Sequence, residues 1–255
     1  MRIMIHAITK RMTVAFFFLI FFSIFINSYA DDKIIKLATL EWPPYISKQI
    51  KEYGFTAKIS TEAFKRVGYS VSIHFMPWAK VLKDVERGKF DAGFPAYYSK
   101  ERDEKYGLSH MIAKGPLVFA TNKNTNIKYS TLKDLKDYKI GIVRGYVNSD
   151  AFDNAQFLNK MVGNSDEQNL KRLLKKRLDI VVVDQFTAVH FMNTILQNNS
   201  QLIEFLSPPL DEKELFVAFS KKNDNYKQLL EDFNHGLELI TTDGTIQSIM
   251  KSYGF

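Results

Sequence analysis

The segment Asp91-Ala92-Gly93-Phe94-Pro95-Ala96-Tyr97-Tyr98-Ser99-Lys100-Glu101-Arg102 runs from a strand into a loop and then into a helix start, with Arg102 in its first turns. A cation there opposes the helix dipole, which favours anions at that end, so Arg102 needs another partner. Its planar guanidinium suits two-pronged capture of a carboxylate. A second charge, Asp184, ends the apolar run Val181-Val182-Val183, where open α/β sheets display their ligand-facing groups. An ammonium is a natural complement to Asp184. A helix cap or a structural ion pair is the plainer use of either charge.

Constellations for catalysis are poorly represented. The five histidines, His6, His74, His110, His190 and His235, are scattered, with no pair at metal-ligand spacing and no HExxH. There is no GxSxG, no phosphate-cradling glycine loop and no dinucleotide fingerprint. With no cysteine in the chain, disulfides, thiolate chemistry and a lipidated cysteine are all excluded. The expectation is a binding protein rather than an enzyme, with no cofactor and no metal.

The elements that must position Arg102 and Asp184 are legible from hydrophobic period. Ile34 to Leu40 reads as a buried strand that breaks at Pro43-Pro44. Phe55, Ile59, Ala63, Phe64 and Val67 keep helical spacing until Gly68, Val71 to Phe75 alternates as a strand, and Trp78 to Glu86 is helical again. Gly88 to Gly93 is read as the next strand, which completes βαβαβ, the mark of a parallel sheet with helices on its faces. The pattern returns with a short helix at Leu132–Leu135, a strand at Lys139–Val143, a helix at Glu167–Lys176 and a strand at Asp179–Val183. Two such blocks predict two α/β lobes. Leu117–Thr121 and Glu214–Phe219 are read as strands crossing between them, and the helical stretch Tyr226 to Phe255 as a return to the first. Lobe one is expected to comprise 31–120 plus 216–255 and lobe two 121–215, with a ligand cleft between them closed by hinge motion.

Residues 1 to 30 read as a secretory signal. Arg2, Lys10 and Arg11 precede the apolar run Val14 to Phe22, and Ser28 and Ala30 are placed for cleavage before Asp31. That run is shorter than the ~20 residues that span a bilayer. The expected product is exported to the periplasm. Loss of the three basic residues takes the formal charge from +7 to +4. The densest basic cluster, Lys171 to Arg177, lacks interleaved aromatics and reads as a solvated helix face rather than a nucleic-acid site.

Taken in order, Trp42-Pro43-Pro44-Tyr45, Gly54-Phe55, Trp78 with Leu82, Gly88-Lys89-Phe90-Asp91-Ala92, Ser99 to Arg102, Leu132 to Leu135, Lys139 to Gly145 and Leu178 to Asp184 resemble the family 3 extracellular solute-binding proteins, the polar amino-acid receptors of ABC importers. The resemblance covers nearly all of 33 to 255. It implies two Rossmann-like lobes joined by two hinge strands, a monomer, and an amino acid or small carboxylate held by its charged ends and handed to an inner-membrane permease. It places Arg102 on the α-carboxylate and Asp184 on the α-ammonium. Trp42 and Trp78 become pocket walls, with Tyr45 beside them, and Phe94 and Pro95 fall where main-chain atoms touch the ligand. Tyr97 and Tyr146 depart from the family's pattern, because each stands where a small hydroxyl residue is usual. Two alternatives follow from the same scaffold. One is an exported dehydratase of prephenate-like acids, for which Glu41 or His110 would supply the general acid, and the other is the ligand-sensing subunit of a membrane receptor.

Overall fold

The computed structural model describes residues 33–123, 125–196 and 201–254. The secretory leader expected at 1–30 lies outside the described residues. β1 (Lys33–Thr39) buries Ile35, Leu37 and Ala38. The chain then passes through a 3-10 turn at Lys51–Tyr53 into α1 (Phe55–Arg66). Next come β2 (Tyr69–Phe75), α2 (Trp78–Glu86) and β3 (Ala92–Tyr97), which is buried at every position. This third strand starts four residues later than the sequence pattern suggests. Gly88 holds a positive φ of 75°, and residues 88–91 form a turn whose Asp91 carboxylate accepts the backbone N–H of Lys36 and the side-chain amide of Asn223.

α3 (Lys100–Lys105), β4 (Tyr106–Leu108) and the long β5 (Ala113–Asn122) follow. Beyond the 3-10 turn Leu132–Leu135 lie β6 (Lys139–Val143), α4 (Asp150–Asp153), β7 (Asn159–Gly163), α5 (Asp166–Leu174), β8 (Ile180–Asp184) and α6 (Gln185–Asn193). The chain closes with β9 (Ile203–Phe205), β10 (Asp211–Ser220), α7 (Tyr226–Thr242) and α8 (Thr245–Ser252).

The sheet runs β2-β1-β3-β10-β5-β8-β6-β7, with β4 beside β10 and β9 beside β5. The two halves share one plan. In each, the first strand of a β-α-β-α-β run sits between the second and the third: β1 between β2 and β3, β6 between β7 and β8. An antiparallel strand from the far end of the fold then flanks the third, β10 on β3 and β5 on β8. The halves meet where β5 and β10 pair over Ala113–Leu117 and Asp211–Leu215. A shared plan also aligns the carboxyl ends of the parallel strands, where ligand sites of such sheets form.

α7 docks back onto α1, as the helical spacing of its sequence suggests, and Phe64, Phe219 and Phe233 pack with ring centroids 4.8 to 6.2 Å apart. The close approach depends on Gly236, where a Cβ would lie 2.0 Å from the carbonyl oxygen of Ala63. Alanine is ordinarily worth about 0.5–1 kcal/mol over glycine inside a helix, but here the helices must separate to admit it. Gly236→Ala is expected to destabilise the fold by about 3 kcal/mol, as overpacking a tight core does. The urea midpoint of the purified protein would show it as a fall rather than the rise that helix propensity alone predicts.

Candidate functional site

Each parallel strand delivers one part of the site just past its carboxyl end. Trp42 and Tyr45 follow β1, Trp78 opens α2 after β2, and Arg102 follows β3, whose last residue is Tyr97. In the other half Tyr146 follows β6, Asp166 opens α5 after β7, and Asp184 is the last residue of β8. Of these, Trp42, Trp78, Tyr97, Arg102 and Tyr146 line a cavity of about 20 Å³ together with Leu40, Pro95, Val147 and Leu215, room for about one water, whereas Tyr45, Asp184 and Asp166 do not line it and connect to its walls by hydrogen bonds to Asp184, Tyr97 and Tyr146. A wider cavity of about 350 Å³ adjoins it through Trp78 and Tyr146 and is edged by Glu41, Lys48 and Ser165.

Arg102 is 5 % exposed. Ser99 caps its helix by accepting the Arg102 backbone N–H at 3.1 Å, and the side chain turns away into the cleft. One guanidinium nitrogen donates to the carbonyl of Tyr97 at 2.7 Å and the other to the carbonyl of Gly145, across the cleft, at 3.0 Å. The guanidinium carbon stands 5.4 Å from the Trp78 ring centre, a cation–π arrangement. Burial lowers its pKa to about 10, so it stays a cation at neutral pH. Among the described residues no carboxylate is paired with it. The partner that the helix-dipole argument asks for is therefore two carbonyls and an indole, with no anion among them.

Asp184 is 2 % exposed and does cap a helix. Its Oδ1 accepts the Thr187 backbone N–H at 3.0 Å, and its Oδ2 accepts the hydroxyls of Tyr45 at 2.9 Å and Tyr97 at 3.3 Å. Burial pushes the carboxyl up to about 6 against the pull of those hydrogen bonds. The phenols of Tyr45 and Tyr97 are raised in turn by burial and by the Asp184 charge.

Sequence reasoning missed a second acid. Asp166, 3 % exposed, accepts the Tyr146 hydroxyl on Oδ2 at 3.2 Å. Burial, with the nearby Asp184 charge, pushes its carboxyl up to about 7. Its Oδ1 and the Nε1–H of Trp42 are both buried without a hydrogen-bond partner. The indole lies near enough to favour the ionised carboxyl but not in bonding geometry. Both tyrosines that depart from the family's pattern thus direct their hydroxyls at buried acids, Tyr97 at Asp184 and Tyr146 at Asp166.

Trp42 stacks on Tyr45 with centroids 4.4 Å apart and meets Tyr97 and Tyr146 edge-on, so three tyrosines brace one cleft wall and Trp78 forms another. Pro95 lines the cavity. Phe94 is wholly buried, and its carbonyl accepts the Thr39 hydroxyl at 2.6 Å. Glu41 and His110 are both exposed. Glu41 edges the outer cavity, where its carboxylate accepts the Lys48 backbone N–H, and His110 is held through its backbone by Asn234.

Gly115, in the crossing strand β5, permits the Tyr45–Asp184 contact. A Cβ there would stand 1.9 Å from the Tyr45 hydroxyl and 2.5 Å from Asp184 Oδ2. Gly115→Ala is expected to break this bond and lower the thermal midpoint by about 4–8 °C, as the loss of about 2 kcal/mol does in a chain of this size. Gly115→Ala on a Tyr45→Phe background, where no hydroxyl meets the methyl, is expected to lose less.

The model of the bacterial extracellular solute-binding proteins, family 3, matches residues 35–255. The chain is 26% identical over 219 residues to a probable histidine-binding protein of Campylobacter jejuni, covering 83% of this chain and 81% of that one. It is 20% identical over 209 residues to the L-cystine-binding protein TcyA of Bacillus subtilis, covering 78% and 72%. The solved structure of an ancestral arginine-binding protein bound to arginine superposes with a TM-score of 0.74 at 21% identity, over 87% of this chain and 98% of that one. These relatives are binding proteins, and the two-lobed α/β architecture is the one the structure displays. The chain belongs to the family 3 bacterial extracellular solute-binding proteins.

Proposed function

We propose that this protein is a periplasmic receptor that captures a small amino acid or related carboxylate by lobe closure and delivers it to an ABC-type permease. The observation that carries the reading is Arg102, a buried cation with no carboxylate paired to it among the described residues, aimed into an aromatic cleft. Lobe one, residues 31–120 with 216–255, supplies Arg102, Trp42, Trp78, Tyr45 and Tyr97. Lobe two, residues 121–215, supplies Asp184, Asp166, Tyr146 and the Gly145 carbonyl. The cavity beside Arg102, about 20 Å³, is too small for an amino acid, so a solute reaches the guanidinium only when the lobes part about β5 and β10. Parting breaks the Arg102–Gly145 bond and frees that face of the guanidinium for a carboxylate. The solute then bridges the two lobes through its opposite charges.

Capture without turnover fits the placement of Glu41 and His110, since neither lines the inner cavity beside Arg102. The names of the relatives, a probable histidine-binding protein, an L-cystine-binding protein and an arginine-binding protein, support an amino acid as cargo. Export by a cleaved leader at 1–30 and a monomeric receptor complete the proposal.

A thermal-shift panel of the amino acids and small carboxylates tests it. A solute at 100 times its Kd stabilises the folded form by about 2.7 kcal/mol, about 5–10 °C here. At least one amino acid is expected to give such a shift. Shifts confined to carboxylates without an amine would sink the amino-acid assignment, and no shift across the panel would sink the receptor reading.

A further inference from the structure

The resemblance to the family assigns the solute's cationic nitrogen to Asp184, but hydrogen-bond accounting across the cleft favours the other acid. Asp184 has a donor on each oxygen: the Thr187 N–H on Oδ1, and the Tyr45 and Tyr97 hydroxyls on Oδ2. A carboxylate has about four lone-pair sites; these three donors and the Phe186 backbone N–H occupy them, so an ammonium approaching Asp184 would have to displace one. Asp166 accepts the Tyr146 hydroxyl on Oδ2, and its Oδ1 is buried with no hydrogen-bond partner. An unmade bond on a buried carboxylate is costly and is tolerated where a ligand completes it. Two residues that act on this carboxylate, Trp42, whose indole favours its ionised form, and Tyr146, which donates to Oδ2, are both walls of the cavity, and Ser165, next in chain to Asp166, edges the outer cavity.

The charge balance agrees. The cleft buries two acids, Asp166 and Asp184, with Arg102, and none of the three is in an ion pair among the described residues, while the buried Lys213 beside the Tyr97 ring is already paired with Asp211. A zwitterion spends its carboxylate on Arg102 and brings one positive nitrogen to the acids.

We infer that Asp166, rather than Asp184, receives the solute's cationic nitrogen, and that Asp184 instead ties the two lobes together through Tyr45 and Tyr97. This rests on the proposed reading of the cleft as an amino-acid site. The departure at position 97 is then functional: tyrosine in place of a small hydroxyl residue saturates Asp184 and leaves Asp166 to meet the ligand.

Calorimetric titration of the purified protein with L-arginine, L-lysine, L-histidine and L-glutamine distinguishes the two acids. Any probe bound by the wild type is expected to bind Asp166→Asn about 100-fold more weakly, as when a buried charge pair loses one member, while Asp184→Asn, which loosens the tie between the lobes without removing a ligand contact, weakens the same probes by no more than about 10-fold. Asp166→Glu, which keeps the charge, recovers part of the loss, which a merely structural role would not give, and the unfolding transition of each variant reports that it is folded. If Asp166→Asn weakens glutamine as much as arginine, the nitrogen is the α-ammonium. If it weakens only the probes with a cationic side chain, Asp166 reads that side chain. Loss of binding in Asp184→Asn with Asp166→Asn unchanged, or equal loss in both, overturns the inference. No binding of any probe by the wild type overturns the amino-acid reading and the inference with it, and is told apart because it appears before any substitution is made.

Discussion

Arg102→Ala is expected to abolish measurable binding of every carboxylate solute the wild type takes up, with a loss of about 3–5 kcal/mol, two to four orders of magnitude in Kd. The guanidinium is the cation of the inner cavity, is 5 % exposed, and keeps its charge at neutral pH despite burial. A carboxylate arriving without it would be desolvated against carbonyls and aromatic faces. The substitution also strips the donors from the Tyr97 and Gly145 carbonyls, so the unliganded protein should lose stability by about 1–3 kcal/mol while remaining folded. Arg102→Lys is the informative control. A lysine restores the charge but not the fork that serves one carbonyl while presenting a second edge to the solute, and its ammonium lacks the planar face that lies over Trp78. Lysine is expected to recover less than half of the lost binding free energy. Calorimetric titration of the three proteins with one solute checks this, and an Arg102→Ala protein that binds as the wild type does would place the carboxylate elsewhere in the cleft.

Arg102 was legible because its sequence context is self-contradictory, a cation in the first turn of a helix, and a contradiction of that kind asks for a partner outside the element. Asp166 carries no such signal. An acid one residue past a Ser cap is what any helix start prefers, since it satisfies both the cap and the dipole, so local physics accounts for it fully and conceals its position in the cleft. What would have exposed it is the repeat. Trp78 opens the helix after the second strand of one half, and Asp166 opens the helix after the second strand of the other. That equivalence becomes visible only once β7 is recognised, and Asn159-Lys160-Met161-Val162-Gly163 is a poor strand by pattern because it is mostly exposed on an edge. The parallel strands β1, β6 and β8, buried by neighbours on both sides, announce themselves as apolar runs. β4 and β9 are three-residue strands that exist through pairing with β10 and β5, a tertiary fact that no local pattern records. Gly115 was silent for the same reason: its lack of a side chain matters only because Tyr45 and Asp184, far away in sequence, come to occupy that space.

The second large effect is a stability that falls as pH rises from about 5 to 8 in the absence of solute. Asp166 and Asp184 hold their protons up to about 7 and about 6 in the folded protein, against an ordinary value of 3.8. The folded chain therefore binds these protons more tightly than the unfolded chain does. Below pH 4 both states are protonated and the contribution is fully present. As pH climbs through 6 and 7 the unfolded chain is already ionised, while the folded one must ionise within a buried cleft, and stability is lost. Each unit of displacement is worth about 1.4 kcal/mol, so the two acids together remove on the order of 3–5 kcal/mol across the window. The groups facing them, the phenols of Tyr45, Tyr97 and Tyr146, do not titrate there, because burial and the acids' own charge raise them further. Arg102 remains charged throughout. Asp243, held down to about 2 by Thr245 and Arg66, is lost only in stronger acid, outside the window. His190, lowered by partial burial, gains stability as pH rises through its range and opposes the trend weakly. Asp166→Asn removes the larger of the two displacements, so it is expected to flatten the profile and to exceed the wild type in stability at pH 8, since a buried charge without a countercharge has been replaced by a neutral amide. Urea midpoints at pH 5, 6.5 and 8 for both proteins decide the matter. A wild type equally stable at all three would mean that the acids are not ionising under burial, and a variant as steep as the wild type would assign the slope to Asp184.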